Sequence, residues 1–341
     1  MKRGQPGPGE RSSARTATYP VEKTRLAPSP TGALHLGNAR TFLINWALAK
    51  QRGWRIVLRI EDLDTPRVKP DATDGIRRTL EALGMDWDEG PFVQSADLAA
   101  YRDAMQRLAE RGCVYPSAES RGEIGDAVAV SAPQEGARES IFPAARRPAT
   151  RPTRFVSEGA EANWRFATPA GVVEFRDGIA GAQRHVPEET IGDFVVWTKR
   201  DQPSYQLAVV VDDARQGVTQ IVRGNDLLDS AARQLLLMQP LGISPAPAYY
   251  HLPLVRGQDG KRLAKRHGDT RVETYLQAGV SARRIVALLA RWSGVREAGE
   301  ELAAEEFVRR FDLAALPLDD VVFTMRDDQW LRNPRSSAEQ I

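Results

Sequence analysis

The stretch from Thr24 to Ile60 constrains this chain most. Thr24 to Ala27 is short and extended in character. Pro28-Ser29-Pro30-Thr31-Gly32 then reads as a loop from its Pro and Gly content. From Asn38 to Gln51 apolar residues recur at helical spacing (Ala39, Phe42, Leu43, Trp46, Ala49), and Gly53 stands where a C-terminal cap belongs. Trp54 to Ile60 has the β-branched and aromatic content of a strand. Strand, Gly-containing loop, helix, strand is a βαβ unit, and it predicts a parallel sheet with helices on its faces. The loop ends on a helix N-terminus, where orphan backbone N–H groups and the positive dipole end favour a phosphate.

The pattern continues for most of the 341 residues. Asp71 is placed to cap a helix running to Leu83, and a second helix fits Leu98–Arg111. Cys113–Tyr115 reads as a short strand. From Pro116 to Asn163 the periodicity dissolves into Ala, Pro, Ser, Gly and Arg. Strands are expected at Val172–Phe175, Phe194–Thr198, Gln206–Val211, Val218–Val222 and His251–Val255. Helices fit Ser230–Met238 and, capped by Ser281, the segment through Trp292; weaker helical pattern reaches Leu331. Residues 1–23, rich in Gly, Pro, Ser and Arg, read as a disordered leader. Residues 335–341 read as a tail.

Composition narrows the class rather than the function. No apolar run approaches the ~18–20 residues of a membrane span. No apolar segment follows the basic N-terminus, so a secretory signal is not expected. A single cysteine, Cys113, makes neither an internal disulfide nor a multi-cysteine zinc site, which favours a reducing, cytoplasmic setting. A net charge of +2 does not by itself indicate a nucleic-acid partner. Residues 137–154 hold five arginines and one glutamate, which fits either an RNA-facing patch or a solvated loop.

Two segments bear chemistry. Arg25-Leu-Ala-Pro-Ser-Pro-Thr-Gly-Ala-Leu-His35-Leu-Gly-Asn38 offers His35 as a donor to a phosphate oxygen, with Gly32 and Gly37 allowing close approach to the backbone. Gly260-Lys-Arg-Leu-Ala-Lys265-Arg-His-Gly268 is a basic loop whose lysine can neutralise charge on a transferring phosphoryl group. In this order the two resemble the HIGH and KMSKS signatures of class I aminoacyl-tRNA synthetases. Between them, Arg59-Ile-Glu61-Asp-Leu-Asp64, Gly84-Met-Asp-Trp-Asp-Glu-Gly90, Gln206–Asp213 and Arg223-Gly-Asn-Asp-Leu-Leu228 are similar to the glutamyl/glutaminyl subgroup. The resemblance covers about residues 24–292. Whole anticodon-binding domains do not fit after Gly268, so the chain most resembles the stand-alone glutamyl-queuosine tRNA(Asp) synthetase family.

The resemblance implies an α/β fold: a Rossmann-like, doubly wound parallel sheet with an inserted subdomain and a small C-terminal helical subdomain. The catalytic domain would comprise residues 24–98 and 201–255, separated by a tRNA-contacting insert at 99–200. Residues 256–334 would hold the basic loop and the helical subdomain. The implied reaction is ATP-dependent activation of L-glutamate and transfer to the queuosine base in the anticodon of tRNA(Asp), by a monomer, with Mg2+ on the phosphates. The implied glutamate contacts are Arg25, Ala27, Ser29, Glu61, Tyr205 and Arg223; Glu61 would accept from the substrate ammonium. The implied ATP contacts are Gly32, His35, Gly37, Asn38 and Lys265, with His35 and Lys265 catalytic. Taken alone, Glu61 fits a capping or surface carboxylate and Tyr205 a core tyrosine. Arg146, Arg147 and Arg151 are candidate phosphate contacts.

Two departures from the family pattern stand out. Arg262 and Ala264 replace the first lysine and the serine of KMSKS. Ser117, Glu119, Phe142 and Arg146 occupy the positions where the family commonly holds zinc. Phenylalanine has no ligand atom and arginine repels a cation, so zinc is not expected. The alternatives are a truncated glutamyl-tRNA synthetase acting on tRNA(Glu) and a non-catalytic tRNA-binding paralogue.

Overall fold

The structure, a computed structural model, describes residues 21–30, 33–64, 68, 71–118, 141–157, 162–261, 263 and 269–333. The opening βαβ unit forms as its pattern requires. Strand β1 (Lys23–Leu26) leads through the loop to helix α1 (Leu36–Arg52), which ends at Gly53 with φ 69°, and β2 (Arg55–Ile60) pairs with β1 in parallel. Helix α2 (Ala72–Ala82) precedes β3 (Glu89–Val93), which extends the parallel set beside β2. Asp71 does not cap α2 through its side chain; it starts the helix from a left-handed conformation, φ 62°. Helix α3 (Ala99–Glu110) follows, then an antiparallel sheet of β4 (Val114–Ser117), β5 (Asn163–Phe166), β8 (Phe194–Thr198) and β9 (Gln202–Pro203).

Inside the span expected as an insert, β6 (Val173–Asp177) and β7 (Gly181–His185) form a hairpin, followed by the short helix α4 (Pro187–Thr190). The hairpin joins the sheet of the second half, where β10 (Gln220–Gly224) pairs in parallel with β11 (Ala248–Leu252) and β11 with β6. Strand β10 runs beside β1 in the same sense. The backbone N–H of Thr219 donates to Lys23 O at 2.9 Å, and Arg25 Nη1 donates to Val222 O at 3.3 Å. Chain order therefore reverses between β1 and β10, the topological switch point at which open α/β sheets bind ligands.

One segment departs from expectation. The β-branched run at Gln206–Val211 predicts a strand, yet it lies in helix α5 (Tyr205–Gln216), capped by Ser204 at its start and by Gly217, φ 69°, at its end. Residues 205–213 are all buried. A helix covered on all sides shows no 3.6-residue apolar period, so its valines read as strand. Helix α6 (Leu228–Leu241) packs against α5 and α3. The C-terminal part holds the short pair β12 (Val255–Arg256) and β13 (Val321–Val322), with α7 (Val272–Gln277), α8 (Ala282–Trp292), α9 (Ala304–Arg310) and α10 (Met325–Arg332). Its core is continuous with the first half: Ile285, Leu289 and Phe307 are buried with Leu43 and Leu48 of α1. No helix among the described residues is long and apolar enough to cross a membrane.

Candidate active site

At the carboxyl ends of β1 and β10 lies a cavity of about 160 Å3. Its lining includes Arg25, Ala27 and Ser29 from β1 and the loop after it, Glu61 after β2, Tyr205 at the start of α5 and Arg223 on β10. These are all six residues read as glutamate contacts. His35, Gly37 and Asn38 line the same cavity. Gly32 and Lys265 lie outside the described residues. Thr41, Phe42, Asp226, Leu254 and Val255, not singled out from sequence, complete much of the wall. Only Asp226, within the Arg223–Leu228 motif, had a local signal.

The charged side chains are held by a buried network. Arg59 Nη1 donates to Asp213 Oδ1 at 2.7 Å, and its Nη2 lies 3.1 Å from Glu61 Oε1. Arg25 Nε lies 3.4 Å from the same Asp213 oxygen. Burial pushes Arg25 below the usual guanidinium range, and Asp213 opposes that shift. Burial also opposes the charge on Arg59, but Asp213 and Glu61 outweigh it and hold its pKa above the ordinary value. Glu61 is pushed up, mainly by burial, although Arg59 and Arg25 both favour its ionised form. Burial raises Tyr205 as well. Two arginines, a carboxylate and a phenol thus converge on one small cavity, which suits a compact zwitterion with a further carboxylate.

The helix start beside this cavity is built by His35, which occupies the N-cap of α1 with its Nδ1 accepting from Asn38 N at 3.4 Å. In a neutral ring that places the proton on Nε2, the form able to donate to a phosphate oxygen. A Cβ at Gly37 would lie 3.3 Å from His35 Nδ1 and 3.4 Å from Val255 Cβ, so glycine keeps the approach open. Both flanks of the basic loop are tied here. Leu263 N donates to Val255 O at 3.1 Å, Leu36 N to Thr270 O at 3.0 Å, and Val272 N to Leu34 O at 2.9 Å.

The expected zinc positions offer no cage. Ser117 closes β4, Phe142 is 1% exposed in the core, Arg146 is exposed, and Glu119 lies outside the described residues. These side chains do not fit a zinc ion. Instead Asp193 gathers the region: it accepts from Tyr115 Oη at 2.5 Å, from Arg147 Nε at 2.7 Å and Nη2 at 2.6 Å, and from Thr168 N at 2.9 Å. Arg165 lies over the Phe142 ring at 4.1 Å and donates to Asp193 O at 3.1 Å. Arg147 therefore braces this region through Asp193. Arg151 donates to Gly112 O at 2.7 Å.

A switch-point cavity beside a capped helix start is the arrangement expected of a class I synthetase. The chain belongs to the family of class I tRNA synthetase (E and Q) catalytic domains, whose pattern matches residues 22–328. Within it, the chain is 44% identical over 308 residues to the Glutamyl-Q tRNA(Asp) synthetase of Symbiobacterium thermophilum, covering 87% of this chain and 94% of that protein. It is 36% identical to the Glutamate--tRNA ligase of Azoarcus sp., covering 92% of this chain and 67% of the relative. The crystal structure of a glutamate tRNA ligase from Elizabethkingia meningosepticum, in complex with its amino acid, superposes with a TM-score of 0.74 at 26% identity, covering 91% of this chain and 68% of that one. The expected α/β, Rossmann-like class I fold agrees with that likeness.

Proposed function

We propose that this enzyme activates L-glutamate with ATP to glutamyl adenylate and transfers the glutamyl group to the queuosine base in the anticodon of tRNA(Asp). The observation that carries the reading is the convergence of Arg25, Glu61, Tyr205 and Arg223 on one cavity at the switch point. At about 160 Å3 the cavity is of amino-acid size, below the roughly 300–1,000 Å3 common for larger ligands. A nucleotide then belongs at its mouth, along Gly37, Asn38 and the N-terminus of α1.

The arginines take the two carboxylates of glutamate and Glu61 takes the ammonium. The α-carboxylate attacks the α-phosphorus of ATP in line and pyrophosphate leaves. His35, the helix N-terminus and Lys265 stabilise the charge that develops on the phosphoryl oxygens. Mg2+ is read as carried on the ATP phosphates. When bound it adds charge neutralisation. A hydroxyl of the queuosine ring then attacks the adenylate carbonyl and AMP leaves.

Higher identity and fuller coverage of the Symbiobacterium protein than of the Azoarcus ligase support tRNA(Asp) over tRNA(Glu). The reading also takes residues 24–98 and 201–255 as the catalytic domain and the protein as a monomer. The test is transfer of radiolabelled glutamate to tRNA(Asp) with and without queuosine, and to tRNA(Glu). Labelling of queuosine-containing tRNA(Asp) alone is expected. Labelling of tRNA(Glu) instead would favour a glutamate--tRNA ligase activity.

A further inference from the structure

Arg223 is held by more than its own strand. Its Nε donates to His251 Nε2 at 2.9 Å, its Nη1 to Gln234 Oε1 at 3.0 Å and its Nη2 to Leu227 O at 3.2 Å. A guanidinium has five N–H groups, so one remains on each terminal nitrogen, a pair suited to a carboxylate. Behind His251 stands Asp177, at the end of β6, with its Oδ2 2.5 Å from His251 Nδ1; neither side chain has any solvent exposure. Arg223 and His251 are cross-strand partners on β10 and β11.

We propose that Asp177 and His251 are positioning residues for Arg223: the carboxylate holds the imidazole as its Nδ1–H tautomer, and the Nε2 lone pair then fixes the plane of the guanidinium that faces the amino acid. This deepens the glutamate-pocket reading and rests on it.

The chain of donors and acceptors has a fixed direction. Asp177 Oδ1 already accepts from the backbone N–H groups of Ile179 at 2.9 Å, Ala180 at 2.8 Å and His251 at 3.2 Å. That turns Oδ2 toward the ring. Burial works against the ionised carboxyl, but the His251 ring and those amides outweigh it and hold Asp177 below the usual carboxylate range. An ionised carboxylate only accepts, so Nδ1 carries the hydrogen. Burial and the neighbouring Arg223 charge push His251 down to about 4 despite Asp177 and the Leu227 backbone, so at neutral pH the ring has one proton, and with it on Nδ1 the Nε2 lone pair faces Arg223 Nε at 2.9 Å. Tyr249 stacks on the His251 ring, centroids 5.8 Å apart and 12° from parallel. The arrangement also gives the β6–β7 hairpin a role at a site it does not line.

Asp177→Asn tests this at constant volume. The amide oxygen keeps the three backbone bonds, so its NH2 faces the ring, Nδ1 must accept, and the proton moves to Nε2. Two donors then meet at Arg223. Nitrogen-15 shifts of His251 are expected to report Nδ1–H in the wild type and Nε2–H in Asp177→Asn. In ATP–pyrophosphate exchange, KM for glutamate is expected to rise roughly 10–100-fold, the usual cost of losing an orienting partner, with KM for ATP unchanged. A lesion that only reduced the folded fraction would lower Vmax and move neither KM.

Should Asp177→Asn fail to fold, His251→Gln and His251→Phe are compared. The glutamine oxygen can still accept from Arg223, so its glutamate KM is expected to lie nearer the wild type. An unchanged glutamate KM in Asp177→Asn, equal effects of Gln and Phe, or Nε2–H in the wild type would overturn the proposal. Absence of glutamate-dependent exchange in the wild type overturns the pocket reading itself, which the variants do not address.

Discussion

Arg59 Nη2 lies 3.1 Å from Glu61 Oε1, so the carboxylate proposed to take the substrate ammonium is already paired with an arginine two residues before it. The same arginine bonds Asp213 at 2.7 Å. Glu61 is therefore oriented before any ligand arrives. Its buried position also makes its ionisation less favourable than that of an ordinary glutamate.

A pH dependence follows. Glutamate capture needs Glu61 ionised, and its pKa is raised, so kcat/KM for glutamate should fall on the acid side at a pH above the ordinary value of about 4.3 for a glutamate carboxyl. Arg59 and Arg25 resist the shift, while burial and Asp213 promote it. In Glu61→Gln activity should drop by about 10-fold or more, and the remaining acid limb should move down to where the substrate's own carboxyl titrates. A limb at the same pH in both enzymes would assign it to another group.

Arg25→Lys should not behave as a conservative change. The guanidinium reaches both Asp213 and Val222 O and stays charged although burial disfavours it. An ammonium cannot span both, and a buried lysine is far more easily neutralised. A rise in glutamate KM of roughly 10²-fold is expected, with little change in ATP KM. Steady-state exchange kinetics on both substrates decide this. Equal changes in both would mean that the fold, rather than the pocket, was damaged.

The sequence exposed the site better than it exposed the supports behind it. Arg25, Glu61, Tyr205 and Arg223 stand in local motifs, so their types and order could be read directly. Asp213 sits 154 residues from Arg59, and Asp177 lies 74 residues from His251. No local pattern marks such pairs; only the sheet order brings them together. Strand β7, Gly-Ala-Gln-Arg-His, has no β-branched residue, and its shape comes from pairing with β6. The strand expected at Gln206–Val211 failed for the opposite reason, since a fully buried helix carries an unbroken apolar run. The opening βαβ unit was legible because Pro and Gly mark the loop before its helix and Gly53 marks its end, although residues 43–49 of that helix are all buried.

Asp193 bears on stability rather than chemistry. Its side chain has no exposure, and it joins Tyr115, Arg147 and Thr168 beside Phe142 and Ser117. Asp193→Ala leaves the Arg147 guanidinium and the Tyr115 hydroxyl without this partner. A loss of about 3 kcal/mol is expected, toward the lower end for breaking a buried pair because Arg147 is 20% exposed. Urea titration measures it. Chelator treatment should leave the melting temperature of the wild type unchanged, and elemental analysis should find no stoichiometric zinc. About one zinc per chain would mean that other ligands have been recruited.

Lys265→Ala should lower glutamate activation by about 10²–10³-fold and leave the fold intact. The loop's neighbours are held by backbone bonds, Leu263 N to Val255 O and Leu36 N to Thr270 O, and neither uses the lysine side chain. Those bonds tie Leu263 to Val255 and Thr270 to the start of α1. Arg262 keeps the charge of the lysine it replaces, while Ala264 removes a hydroxyl, so Lys265 is the loop residue expected to matter most for activation. ATP–pyrophosphate exchange, read with a thermal melt of the same preparation, checks both halves. An unchanged exchange rate removes Lys265 from the mechanism. A rate restored by Ala264→Ser in the Lys265→Ala background would place the missing contact on the hydroxyl instead.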